Sequence, residues 1–331
     1  MAPTCFLLSV PADFNFGECL WFLDRGFDDC LYQLDNNKVT RALRLKEGLA
    51  LVQIESGDRA VDTMTTGITA VVGSVPGAGV TEPGSQKEGP HLKISVLNRV
   101  LSPTEETELR NYLDDWFDLQ LDLNPFYALI AQDSRLSFMK ADYYGLRLIG
   151  IPDLFEAICW AIIGQQINLT FAYKLKRKLV ERYGTTIEFN GNRYFLFPDP
   201  AVLANASLED LQAMQFSRSK AGYVLKIAEA FANQSLSKAV LREMPDVAAR
   251  QKALISVKGV GIWTANYALM KSLKERSCIP HGDAGLLNAL INLDIIKDKK
   301  ELSDIETFFN GYPEWESYLV FYLWRTLSTR V

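Results

Sequence analysis

Two glycines around one apolar residue, set between two helix-forming segments, constrain this chain more than any other feature. They lie in Val257-Lys258-Gly259-Val260-Gly261. Upstream, Asp246 follows Pro245 and is placed to cap a helix that holds Val247, Leu254 and Ile255. Downstream, Trp263, Tyr267 and Met270 fall at i, i+4 and i+7 and so share one helical face. A link this tight requires glycine's freedom at positive φ, and the missing side chains let another molecule approach the backbone. The first amides of the second helix have no partner within it. They offer a ready site to an anion such as a phosphate. A corner that merely packs two helices would use the same residues, so the rest of the chain has to decide.

The 331 residues exceed what one core usually organises, which implies two or three domains. A hydrophobic fraction of 48% with 23% charged residues is ordinary for a soluble globular protein. No apolar run is long enough for a membrane span, and no basic segment precedes the apolar start, so neither a membrane nor a signal peptide is expected. The five cysteines (5, 19, 30, 159 and 278) are scattered and form no metal-ligand cluster; they read as reduced thiols in a cytoplasmic protein. His91 and His281 have no metal-ligand spacing, and no P-loop or dinucleotide fingerprint is present.

A net charge of −5 argues against a nucleic-acid partner if taken whole. The distribution argues for one. Residues 216–275 hold 10 Lys and Arg against 4 Asp and Glu, a balance of +6, which leaves −11 on the remainder. The positive excess surrounds the hairpin, where a phosphate backbone would need it.

Residues 1–101 read as an α+β domain with an antiparallel sheet. Strands are expected at Phe6–Val10, Cys30–Leu34, Leu49–Ile54 and Leu92–Val96, with a helix over Asp13–Asp24 and a turn at Asp35-Asn36-Asn37. Residues 73–90 hold five glycines and three prolines and read as a long loop. From Ser102 the period becomes helical, and residues 102–331 read as an all-α region. Ser102-Pro103 with Glu105 and Glu106 opens a helix to about Leu113, and Asp122–Leu129 opens another. Leu154, Phe155, Ile158 and Ile162 share one side of a helix that ends near Gly164-Gln165-Gln166. Arg218 and Lys220 stand in the first turn of a further helix, where cations oppose the helix dipole; this suits either phosphate contacts or ordinary surface charge.

Asp283 lies 22 residues beyond Gly261, behind Pro280-His281-Gly282 and ahead of the apolar run Ala284–Ile291. With the hairpin and the Gly164-Gln165 junction, this pattern resembles the helix–hairpin–helix superfamily of DNA glycosylases, and most of all the bacterial 3-methyladenine DNA glycosylase II branch. The resemblance runs from about Asp122 to Trp324. It implies a helical hairpin domain at about 151–283 and a second helical lobe from 102–150 plus 284–331. It further implies that Lys258, Gly259, Val260 and Gly261 grip the DNA backbone, joined by Gln165, Arg218 and Lys220. Gln166 stands where that branch has an apolar wedge that fills the gap left by an extruded base. A glutamine could instead hydrogen-bond the orphaned partner base.

Removal of a base breaks a C–N bond through a sugar with oxocarbenium character, which a nearby carboxylate can stabilise. The resemblance gives that role to Asp283, although an aspartate before a helix is also an ordinary N-cap. The family often has an acid just before it; here the residue is Gly282. Strand-cutting members carry a lysine two residues after the last hairpin glycine, and here Trp263 stands there. Iron–sulfur members need four clustered cysteines, and only Cys278 lies beyond Cys159. Trp263, Tyr267 and Trp324 would line the base pocket, the last following Trp315 by nine residues as in the family. His281 stands close enough in sequence to tune the site. The expectation is therefore a monofunctional enzyme that flips out and hydrolyses alkylated bases in damaged double-stranded DNA. It would act as a monomer in the bacterial cytosol without a cofactor, with at most a monovalent cation on the hairpin. A glycosylase for oxidised or deaminated bases, and a non-catalytic DNA-binding protein, are the alternatives.

Overall fold

A computed structural model describes residues 4–57 and 89–328. The loop expected over 73–90 lies outside these residues except at Gly89 and Pro90. An antiparallel sheet of five strands opens the chain, in the order β1-β5-β4-β3-β2. Its strands are β1 (Cys5–Ser9), β2 (Tyr32–Asp35), β3 (Lys38–Leu45), β4 (Gly48–Ser56) and β5 (His91–Val96). The β2–β3 turn pairs Asp35 with Lys38, and Asn36 and Asn37 both take positive φ (48° and 58°). That is the geometry of a two-residue hairpin, which asparagine tolerates better than most side chains.

Strand β3 was not marked by alternation, and the structure shows why. Both of its faces are covered: Val39 and Leu43 enter the main core, while Ala42 packs with Leu51, Ile187 and Leu196 on the other side. The last two residues belong to a second hairpin, β6 (Thr185–Phe189) and β7 (Asn192–Leu196). The region read as all-helical thus contains two strands. They turn at Asn190-Gly191, both at positive φ (48° and 80°), a strong hairpin signal in the sequence.

The rest of the described chain is helical. Ser102 and Glu105 form a reciprocal capping box on helix Pro103–Phe117, which runs one turn beyond the expected end. Asp153 caps Leu154–Gly164, a helix buried almost all round and therefore central. Asp246 caps Val247–Ile255, the first hairpin helix; the second is Ile262–Ala268, which continues as a π-helical turn over Leu269–Leu273.

One hydrophobic cluster runs from Leu8 in the sheet to Leu323 in the final helix, Glu316–Arg325. Buried charges join the two parts. Arg41 on β3 reaches Glu156 at 2.8 Å, and Lys176 lies 3.0 Å from Asp29 and 3.4 Å from Glu156. Paired in this way, the charges escape much of the cost of leaving water. Glu18 on helix Phe16–Leu23 meets the buried Arg325 at 3.0 Å. These ties hold the segment after that helix against the helical core, where it becomes one wall of the site.

Candidate active site

Asp283 is the N-cap of helix Ala284–Asn292, and its Oδ2 accepts from the Leu286 amide at 2.8 Å. The same oxygen accepts from the Trp324 indole Nε1 at 3.0 Å. Both bonds fall on Oδ2, so Oδ1 has no protein partner among the described residues. Two donors hold the carboxylate in one orientation. Gly282 before it has φ +82°, so a glycine suits the place where the family often has an acid. Gly285 after it lies against the Asp283–Trp324 contact. A Cβ there would stand 3.0 Å from Asp283 Oδ2 and 3.3 Å from the Trp324 ring.

The aspartate borders a cavity of about 1080 Å3. Its aromatic lining includes all three expected residues. Trp263 and Tyr267 stack with ring centres 5.5 Å apart and planes at 21°, and Tyr267 lies 6.3 Å from Trp324. The half-buried His281 also faces the cavity, and burial pushes its imidazole below the usual range. Sequence reasoning missed the opposite wall. Trp160 donates from Nε1 to the Tyr267 hydroxyl at 3.1 Å, and Trp21, Phe22, Arg25 and Phe27 arrive from the N-terminal region. In the sequence, Trp21 and Phe22 read only as the inward face of a helix.

The hairpin sits at the cavity's edge, with Gly261 among the lining residues. Gly259 has φ +100°, and a Cβ on it would stand 2.2 Å from the Tyr223 ring. Its missing side chain therefore makes room for this chain's own tyrosine, contrary to the expectation that both glycines serve an incoming molecule. Gly261 has open space at its Cβ position, and no side chain caps the helix that begins after it. Lys258 and Arg218 are exposed and form no ion pair among the described residues. Val260 is buried and anchors the turn.

Two expected DNA contacts are engaged within the protein. Lys220 donates from Nζ to the Ile163 carbonyl at 2.7 Å, where the central helix ends, and burial pushes its ammonium below the usual range. Gln165 donates from Nε2 to the Gly259 carbonyl at 3.2 Å and to Thr264 Oγ1 at 3.0 Å. It thus fastens the central helix to the hairpin. Gln166 is exposed at the cavity mouth with φ +55°, a conformation that costs a non-glycine residue roughly 1 kcal/mol. A second bond chain links hairpin to aspartate. Gln251 Nε2 donates to Asn266 Oδ1 at 2.6 Å, and Asn266 Nδ2 donates to the Ile279 carbonyl at 2.6 Å, four residues before Asp283. The buried Asn266 gave no sign of this in the sequence.

A family model described as HhH-GPD superfamily base excision DNA repair protein matches residues 159–313. Another, the 8-oxoguanine DNA glycosylase N-terminal domain, matches residues 76–158. A DNA-3-methyladenine glycosylase of Bacillus subtilis is 34% identical over 323 residues, covering 97% of this chain and 96% of the relative. This chain belongs to the HhH-GPD superfamily. DNA-3-methyladenine glycosylase 2 of Escherichia coli is 30% identical over 217 residues, 63% of this chain and 68% of that protein. The fold is also that of a 3-methyladenine DNA glycosylase from Archaeoglobus fulgidus, with a TM-score of 0.75 and 22% identity over 98% of this chain and all of the other. The antiparallel sheet followed by a mostly helical core is the arrangement expected from the sequence, and among the described residues no helix is long and apolar enough to cross a membrane.

Proposed function

We propose that the protein is a monofunctional DNA glycosylase that flips alkylated bases out of duplex DNA and releases them by hydrolysis. The observation that carries this reading is a single carboxylate, oriented by Leu286 N–H and the Trp324 indole, at the mouth of an aromatic cavity beside an open-backed hairpin. The flipped base enters between Trp263, Tyr267 and Trp324. As the base–sugar bond stretches, positive charge develops on the sugar. Asp283 Oδ1 faces that charge and orients the attacking water, whose proton it accepts. Oδ2 stays bonded to Trp324, so the carboxylate need not reorganise during the step.

The hairpin supplies phosphate contacts through the amides that follow Gly261 and through Lys258, with Arg218 nearby. Gln166, held out at the mouth, occupies the space the base leaves. Within this reading residues 1–101 form the scaffold domain, about 151–283 the hairpin domain, and 102–150 with 284–331 the second lobe. The enzyme acts as a monomer in the bacterial cytosol, without a cofactor and with at most a monovalent cation on the hairpin.

Aromatic faces attract cations by roughly 0.5–2 kcal/mol per contact. N3-methyladenine and N7-methylguanine carry a positive charge that also weakens the base–sugar bond. Both effects favour them over neutral lesions such as hypoxanthine. The test is an excision panel on duplexes with one defined lesion each. Faster release of the two alkylated bases is the expected result; faster release of oxidised or deaminated bases overturns the assignment. Strand cleavage is not expected, since Trp263 replaces the amine it requires. Borohydride that trapped a covalent complex with damaged DNA would contradict this.

A further inference from the structure

Arg25 is the unusual member of the cavity wall. It is half-buried, and it has no carboxylate within ion-pair distance among the described residues. Its Nε donates to the Phe22 carbonyl at 3.0 Å, and Nη2 reaches the Tyr173 hydroxyl at 3.5 Å. Nη1 has no partner among the described residues. The guanidinium lies 4.0 Å from the centre of the Phe22 ring and 5.9 Å from that of Phe27, so its plane is fixed by packing. An arginine held this way with donors to spare is built to meet an acceptor.

A run of contacts shows where that acceptor would sit. Tyr173, beside Arg25, packs against Trp160 at 4.5 Å; Trp160 bonds the Tyr267 hydroxyl; Tyr267 faces Trp324, which holds Asp283. Arg25 and Asp283 thus line one cavity, joined by this run and by a second through Phe22, Phe321 and Trp324. A flipped purine whose sugar bond lies at Asp283 therefore shares that cavity with the Arg25 guanidinium.

We propose that Arg25 reads the far edge of the flipped base and favours purines with a carbonyl at position 6 over those with an amino group there. The inference rests on the base-excision reading above and specifies its substrate preference. A carbonyl oxygen accepts from the guanidinium, as guanine O6 does from arginine in DNA recognition. An exocyclic amine is itself a donor and meets a cation with none of that gain. The two alkylated purines separate the effects, because both are cationic. N7-methylguanine carries O6 and N3-methyladenine carries the 6-amino group, so the repulsion between Arg25 and a charged base is common to both.

The experiment uses the full chain on a single sample of methylated duplex DNA that contains both lesions, with the released bases quantified in time. The readout is the ratio of initial N7-methylguanine release to initial N3-methyladenine release. Arg25→Ala lowers that ratio about tenfold, and Arg25→Lys, which keeps a charged donor, lowers it less. Arg25→Gln guards against loss of packing, since a planar donor remains, and it too lowers the ratio. A general structural role would slow both releases equally; an unchanged ratio in Arg25→Ala and Arg25→Gln therefore overturns the inference. Release of neither base by the wild-type chain refutes the base-excision reading itself, and the inference with it.

Discussion

Gly285→Ala isolates the geometry on which the chemistry depends. The residue follows Asp283 by two and sits in the first turn of helix Ala284–Asn292. Its φ is not in the left-handed region, so alanine meets no backbone strain there. In a helix alanine is favoured over glycine by roughly 0.5–1 kcal/mol, so stability should hold or rise slightly. The new Cβ, however, would lie 3.0 Å from Asp283 Oδ2 and 3.3–3.4 Å from the Trp324 indole atoms Cδ1 and Nε1. One of the two must move by a few tenths of an ångström, and the 3.0 Å bond between them is what yields. A hydrogen bond to a charged group contributes about 1.5–3 kcal/mol, which corresponds to roughly 10- to 150-fold in rate if the transition state loses it. Single-turnover excision should therefore fall by about that factor while the melting temperature stays within a few degrees of wild type. Wild-type excision by the variant would refute the claim that Trp324 positions the aspartate. A matching loss in Trp324→Phe, which keeps the ring and removes the donor, would support it.

Two glycines of the hairpin should behave differently, which the sequence pattern alone did not suggest. Gly259→Ala meets Tyr223 and a left-handed φ, so it should cost ~2–5 kcal/mol in urea unfolding. Gly261→Ala meets nothing, so it should leave stability within about 1 kcal/mol and weaken duplex binding at every sequence. Equal effects on stability would contradict this division. Lys271 is fully buried, donates to the Ile149 carbonyl, and is held by burial well below the usual lysine range. The unfolded chain therefore binds a proton that the folded chain releases more readily, so stability should rise with pH below about 10.5. Lys271→Met should flatten that rise in a denaturation series taken up to about pH 10; an unchanged slope would show that the buried amine does not titrate as argued.

The legible parts of this protein were those specified by neighbouring residues. Asp246, Ser102 and Asn36-Asn37 act within a few positions of themselves, and each formed the expected cap or turn. The helix entrance at Asp283 was legible for the same reason, because a cap acts within three residues of itself. The far wall of the cavity was not found, since Arg25 and Phe27 meet Tyr173 across about 150 positions, and no pattern in either segment marks the contact. Lys220 makes a contact that was hidden for a related reason. A cation in a first turn reads as surface charge or a phosphate contact, whereas its Nζ closes the end of another helix at Ile163. The π-helical turn at Leu269–Leu273 likewise has no local signature; its buried Lys271 is placed by Phe22, Ile149 and Phe321, all distant in sequence.

The proposed chemistry turns on one carboxylate, and Asp283→Asn tests it most directly. Asparagine caps helices about as well as aspartate, so the Leu286 contact and the fold persist. The charge is removed, and the oxygen that faces the sugar becomes an amide nitrogen. Single-turnover release of N3-methyladenine from duplex DNA should fall by at least ~100-fold while affinity for that duplex stays within about threefold. Near-normal release by a folded, DNA-binding Asp283→Asn protein would contradict it.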